Sequence, residues 1–582
     1  DLSQSEMFVP SESGQLPIVS LFPNIAHLDL RYIEKLPIGV SLKTILDQCA
    51  QLESLCLNLS KNFCTEDSPD SIIQSIANKR NLRSLQLELP WSDEELSEFQ
   101  AKSLLLIVNS CQNLEKLELG ISYSKDFFQK FIEHYNEDIK NYPNLKCLKI
   151  NAWGVDSSVL APFLTLFPNI ISVKLINCSV IGDKVLQVFK ENQNLKIVRL
   201  VGQFDEAFLE KFSEIEQLED VDLQGSQFQY TSERGFQYLS KLTNLRKLTV
   251  QHFELSLQSM MMVLSKCVQL NNLRVLDCLC SEEDDVSISP SQVFPSMKKL
   301  RLIDSNSRTT TSYNIVKLLQ HIVMRAENLE YLELDEKCSY DSRVDSIFNE
   351  IFKQIGELQG LKIVKIATEF IDYQSLFDAL NNLTELKHLV LKDRARGDMG
   401  ILRRAAFGLE YIKSLIRSKS KFKLPPSLES LELGGSVIPN DVLEAVICSC
   451  ENLRELKLIA VPISDGTFMR LAQLEKLRTL HIYTTKLESE SISFVLNNLK
   501  HLRDLYLHLP FPITLNLTSQ EYLLRKLSIR LGKEGPSLDE FEKLLDKNPY
   551  LEEVRCSKHQ LDVENRVLLE QIMKKYPAIR FT

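Results

Sequence analysis

A short apolar pattern recurs along this chain and leaves it few ways to fold. In Phe167-Pro168-Asn169-Ile170-Ile171-Ser172-Val173-Lys174-Leu175-Ile176, apolar side chains fall at a first, a fourth and a sixth position: Ile170, Val173 and Leu175. The alternation at the end of that run has the period of a strand. Cys178 then turns the chain inward, and Val185, Leu186 and Phe189 space an apolar stripe for a helix beginning at Asp183. With the first position as marker, the pattern recurs at Ile25, Leu52, Leu82, Leu114, Leu145, Ile170, Leu195, Leu218, Leu245, Leu270, Met297, Leu329, Leu361, Leu386, Leu428, Leu453, Leu477, Leu502, Leu524 and Leu551, twenty copies about 28 residues apart on average. A strand–helix unit of this kind cannot bury its apolar edge by itself, so each copy must stack on the next.

Stacking also settles the question of size. A chain of 582 residues exceeds what one compact core accommodates, whereas a repeat array lengthens its core along one axis. The expected fold is an α/β solenoid, a horseshoe with a parallel sheet on the concave face and helices on the convex face. Steps of this length leave room for a full return helix. Helical spacing is visible in Leu42, Ile45 and Leu46; in Leu104, Leu105 and Val108; and in Val442, Leu443 and Val446. Asp183, after Gly182, and Asp465, after Ser464, stand where an Asp side chain can accept amide hydrogens of a first turn.

Residues 1–20 are polar and aperiodic and lack an initiator Met, so a fragment or processed form is expected, with these residues a lead-in or the remnant of an upstream module. Residues 21–582 form the array. At its end, Asp562 to Lys575 reads as a helix and Pro577 to Phe581 as a last, incomplete strand.

The totals exclude more than they specify. A formal net charge of −10 argues against bulk nucleic-acid binding. No run of about eighteen apolar residues could cross a membrane, and no signal peptide opens the chain, so it reads as cytosolic or nuclear. Without secretion, the glycosylation sequons at Asn58, Asn177, Asn382 and Asn516 carry no meaning.

The thirteen cysteines suggest disulfides or metal until they are placed in the repeat. Cys49, Cys111, Cys267 and Cys450 fall three residues before a marker, a column held elsewhere by Phe22, Tyr142, Phe167, Leu242, Phe294 and Leu474, which makes them core residues. Cys278 with Cys280, and Cys448 with Cys450, lack a second ligand pair at zinc spacing. His481, His501 and His508 fall in adjacent repeats, but no Cys or Asp completes a catalytic or metal set, and a partner-contact role fits them better. No phosphate-binding glycine loop, nucleophile elbow or zinc-protease motif is present, so neither catalysis nor a cofactor is expected.

Candidate contacts come from side-chain direction. Third, fifth and seventh strand positions face the concave side. Among fifth positions, Lys149, Lys174 and Arg199 form a row of three cations on consecutive strands, with Ile176 and Val201 at seventh positions beside the last two. Like charges in a row need an acidic neutraliser, either a partner or the neighbouring Glu118 and Asp222. Two irregular segments stand apart. Cys280 to Asp285 is an acidic turn expected to be solvated. Between Leu386 and Leu428 the step is 42 residues, and 392–423 holds ten Lys and Arg against three acids. Leu402, Ala405, Leu409, Ile412 and Ile416 place an apolar stripe on an overlong helix there, with Gly397 and Gly400 as a hinge. Arg394, Arg396, Arg403 and Arg404 are its candidate contacts for an acidic or phosphorylated protein segment or a small polyphosphate.

The order apolar–x–x–apolar–x–apolar–x–x–Cys of Ile170 to Cys178, and the Cys-x-x-Leu of Cys49, Cys111 and Cys450, resemble the cysteine-containing leucine-rich repeats of F-box proteins. The resemblance covers most of the chain and is one of repeat type. It departs at the ninth position, which is Cys only at Cys178 and Cys278 and is otherwise mixed, as at Ser60, Ser122, Trp153, Ser226, Ser305 and Ser436, and no segment looks like the F-box module. What it implies is the substrate-recognition part of a ubiquitin ligase receptor, bound to a Skp1–cullin core through an F-box that would precede Asp1. The alternatives are a free-standing cytosolic scaffold or inhibitor, and the sensor repeats of a nucleotide-binding immune receptor.

Overall fold

A computed structural model describes residues 25–31, 41–59, 68–89, 94–121, 125–134, 142, 144–152, 155, 157–177, 181–225, 233–280, 293–304, 312–336, 342–368, 373–393, 424–435, 440–461, 463–483, 487–508, 523–530, 538–557 and 563–581. The chain forms two compact units, Asp1–Pro290 and Ser291–Thr582. In the first, parallel strands follow one another from His27–Asp29 to Asn272–Leu276, each hydrogen-bonded to the next repeat's strand. In the second, the same ladder runs from Lys299–Asp304 to Arg580–Phe581. The fold is a leucine-rich-repeat solenoid, with strands alternating with return helices.

The apolar markers set the register. Every marked repeat opens its strand two residues later, as Ser172 follows Ile170 and Glu455 follows Leu453. Fifth position then faces fifth position: Glu118, Lys149, Lys174, Arg199 and Asp222 are successive partners. Fourth and sixth residues turn inward, so Val173, Leu175, Leu456 and Leu458 are buried. From the helices, Val185, Leu186 and Phe189 close the same core. Aromatic rings thicken it in the first unit, where Phe128 and Phe163 meet edge-on at 4.9 Å and Phe163 meets Phe167 at 5.2 Å.

Helix ends depart by one residue from the expected caps. Asp183 is the first residue of the helix Asp183–Glu191, and its N-cap, Gly182, offers no side chain. Asp465 likewise opens Asp465–Met469, whose cap is Ser464, with its hydroxyl accepting from the Thr467 amide. Asp465 instead accepts the backbone N–H of Glu488, in the next repeat, at 2.8 Å. The last helix, Val563–Lys575, and the strand Arg580–Phe581 lie where the sequence puts them.

The cysteine column is a packing column. Cys49, Cys111, Cys267 and Cys450 are buried at the ends of helices. The Cys267 thiol points at the carbonyl oxygens of Leu242 (3.3 Å) and Leu239 (3.7 Å) in the preceding repeat, and that of Cys111 at Ile76 (3.6 Å). Burial pushes the thiol of Cys111 up to about 11 and those of Cys267 and Cys450 up to about 12, so they stay protonated.

Two stabilising columns lie beyond the apolar pattern. Asn residues immediately before markers bridge repeats: Asn113, Asn144, Asn244, Asn328 and Asn452 donate to the carbonyls of Arg80, Gln112, Glu216, Pro295 and Pro426 at 2.8–2.9 Å. At the eighth position the chain leaves the strand through a left-handed residue: Asn177, His252, Asp277, Ala460 and Gly435, the last at φ 119°. That bend aims the ninth residue inward. Phe253, Cys278 and Val461 are buried there, while Cys178 lies outside the described residues.

The long step between Leu386 and Leu428 does not shift the ladder. His388–Asp393 still pairs with Ser430–Gly434, Val390 opposite Glu432. Residues 394–423, with the expected helix, its hinge and Arg394, Arg396, Arg403 and Arg404, lie outside the described residues, as does the acidic turn after Cys280. Among the described residues no helix is long and apolar enough to cross a membrane.

Candidate binding surfaces

Alternate strand residues that do not enter the core form one face in each unit. In the first unit the strands Cys147–Ala152, Ser172–Ile176 and Ile197–Val201 bring Lys149, Lys174 and Arg199 into register. Ile176 lies directly opposite Val201, both half-buried, so the apolar pair adjoins the cations as the sequence indicates.

The row is unequally neutralised. Lys149 Nζ is 2.9 Å from Glu118 Oε2, and Lys116 Nζ is 2.7 Å from Glu118 Oε1. Burial alone would raise the Glu118 carboxyl, but those two hydrogen bonds outweigh it and hold the group below its ordinary value. Arg199 reaches Asp220 at 3.7 Å, an acid that also pairs with Lys247 at 3.0 Å. Asp222, the neighbour in register with Arg199, instead accepts from Gln224, and burial pushes its carboxyl upward. Lys174 has no carboxylate oxygen within 4.0 Å among the described residues.

The second unit carries a different face. At fifth positions, His481 stacks flat on Tyr506, with centroids 3.8 Å apart and planes 9° from parallel. At seventh positions Ile459, Tyr483 and His508 lie side by side. Burial, then the charge of Lys457, pushes His481 down to about 4, so it is neutral at pH 7. His501 is in the turn before the strand Asp504–His508, apart from the other two. Tyr483 and Ile459 were not singled out by the sequence, although counting seventh positions in every repeat finds them. Among the described residues no three His, Cys, Asp or Glu side chains converge as metal ligands would.

No family model matches the sequence, and no curated protein matches it. Solved structures resemble it in fold. TLR13, in its crystal structure with ssRNA13, is 16% identical over 95% of this chain and 80% of that one, with a TM-score of 0.48. An internalin of Listeria monocytogenes is 13% identical, covering 76% of this chain and 88% of its own at a TM-score of 0.33. A leucine-rich-repeat protein of Leptospira interrogans is 16% identical over 99% of both chains at 0.30. At such identities the likeness is one of fold alone.

Proposed function

We propose that this protein is a binding module without chemistry of its own, and that the first unit's strand face takes an acidic or phosphorylated segment of a partner protein. The observation that carries this reading is Lys174, a half-buried cation with no carboxylate oxygen within 4.0 Å among the described residues, between two ion-paired neighbours and next to Ile176 and Val201. A cation in such a place is ready to gain a charge-assisted hydrogen bond, and the apolar pair adds contact area. Arg394, Arg396, Arg403 and Arg404 are proposed to add a second set of anion contacts. The repeat resemblance supports a more specific reading, the substrate-recognition part of a Skp1–cullin ubiquitin ligase, for a protein of the cytoplasm or nucleus.

Affinity purification from the protein's own cells tests both levels. Skp1 and a cullin should co-purify with a substrate whose affinity for Lys174→Glu is weaker by about tenfold or more. A substrate without Skp1 leaves a free-standing binder, and partners indifferent to Lys174→Glu remove the proposed face. Changing the four arginines to Ser should flatten the salt dependence of capture.

A further inference from the structure

A second recognition surface lies on the strands Glu455–Ile459, Thr479–Tyr483 and Asp504–His508. Their third, fifth and seventh residues make a patch of three rows: Glu455, Thr479 and Asp504; Lys457, His481 and Tyr506; Ile459, Tyr483 and His508. The acids of this region are not equally engaged. Glu455 is held by Lys457 at 2.9 Å and by the Ser430 hydroxyl at 2.9 Å, and Glu432, one strand away, pairs with Lys392 at 2.6 Å. Among the described residues Asp504 accepts the Thr479 hydroxyl, at 3.2 Å, and no Lys or Arg nitrogen lies within 4.0 Å of it; Lys526, in register with it on the next strand, reaches Glu553 at 3.7 Å instead. Glu455 and Glu432 are thus each paired with a lysine, whereas Asp504 is left without a cation in ion-pair range among the described residues.

Toward the opposite end of the patch the surface is apolar and open, with Tyr483 54% and Ile459 37% exposed. Between the two ends lies the His481–Tyr506 stack, which presents neutral aromatic surface at pH 7. An arginine meets both demands at once: its planar guanidinium forks onto a carboxylate and lies well against aromatic rings, and its stem covers apolar surface.

We infer that this patch binds an extended segment of a partner protein bearing an arginine, which pairs with Asp504 beside the Tyr506 ring, and an apolar side chain four residues from it, which covers Ile459 and Tyr483. The spacing follows from the strands themselves: third and seventh positions are four residues apart, about 13 Å, and an extended segment laid along them advances at the same rate. The inference does not depend on Lys174 or its row, and its variants are separate.

Selection of a library of randomised peptides on the full chain tests it. Enriched sequences should carry Arg and an apolar residue four apart, and should lose about tenfold or more in affinity when citrulline replaces that Arg or when the protein carries Asp504→Asn. Asn keeps an acceptor for Thr479, so the fold is preserved, and an unchanged melt verifies this. Tyr483→Ser should weaken the same peptides. Failure to enrich arginine, or peptides that bind Asp504→Asn and Tyr483→Ser as well as the parent, would overturn the inference.

Discussion

Leu175 has no solvent exposure and lies in register between Ile150 and Leu200, so one side chain helps to seal three adjacent repeats. Leu456, equally buried, does the same between Leu431 and Leu480. An aspartate at either place buries a charge with no partner and removes the apolar contact. Leu175→Asp and Leu456→Asp should each cost about 3–5 kcal/mol in urea unfolding. Ile176→Ser, one residue from Leu175 but on the other face of the sheet, should cost about 1 kcal/mol or less. Equal midpoints for Leu175→Asp and Ile176→Ser would contradict the register. This register was legible because a period of two leaves no ambiguity about which leucine faces the core.

At the scale of elements, the strands were easier to read than what joins them. Asp183 and Asp465 suit a helix start, but a cap must have extended backbone, and which of two neighbouring residues adopts it is decided by the turn. The left-handed eighth position is suggested by Asn177, Asp277 and Gly435, whereas His252 and Ala460 do not announce it. The Asn column was present in the sequence too. Its meaning appears only when the preceding repeat supplies the carbonyl. Those bonds lie between repeats rather than within them, so Asn113→Ala and Asn244→Ala should each lower stability by about 0.5–1.5 kcal/mol with helix content unchanged by circular dichroism. No loss from either variant would reduce the column to decoration.

For the molecule as a whole, the basic row was legible because fifth positions can be counted, but its neutralisation was not. Arg199 pairs with Asp220 at a third position, not with Asp222 beside it, since a guanidinium reaches diagonally across strands. The insertion interrupts the sequence period without moving the strands around it, a result that periodicity alone does not supply. Global stability should also depend on pH through two histidines. Burial, then Arg325 and Lys317, pushes His321 down to about 4, and His481 is pushed down to about 4 as well. From 6.5, the value of an unperturbed histidine, down to about 4, the unfolded chain binds protons that the folded one refuses. Their contribution is complete above 6.5 and is lost as pH falls toward about 4. Melting temperatures should therefore decline on the acid side, and His321→Gln with His481→Gln should make that decline shallower. Parallel curves for parent and variant would show that these groups titrate normally in the fold.

The cysteines at the helix ends have a consequence for how the array can come apart. Cys111 and Cys267 in the first unit, and Cys450 in the second, are shut in, and their thiols hold their protons well above neutral pH. A thiol in that state reacts with an electrophile only once its surroundings separate and water reaches the sulfur. Each of the three is thus a native reporter placed at a known rung, and the rates at which they are alkylated give a map of breathing along the repeats: which neighbours part often, which rarely, and whether a bound partner clamps them shut.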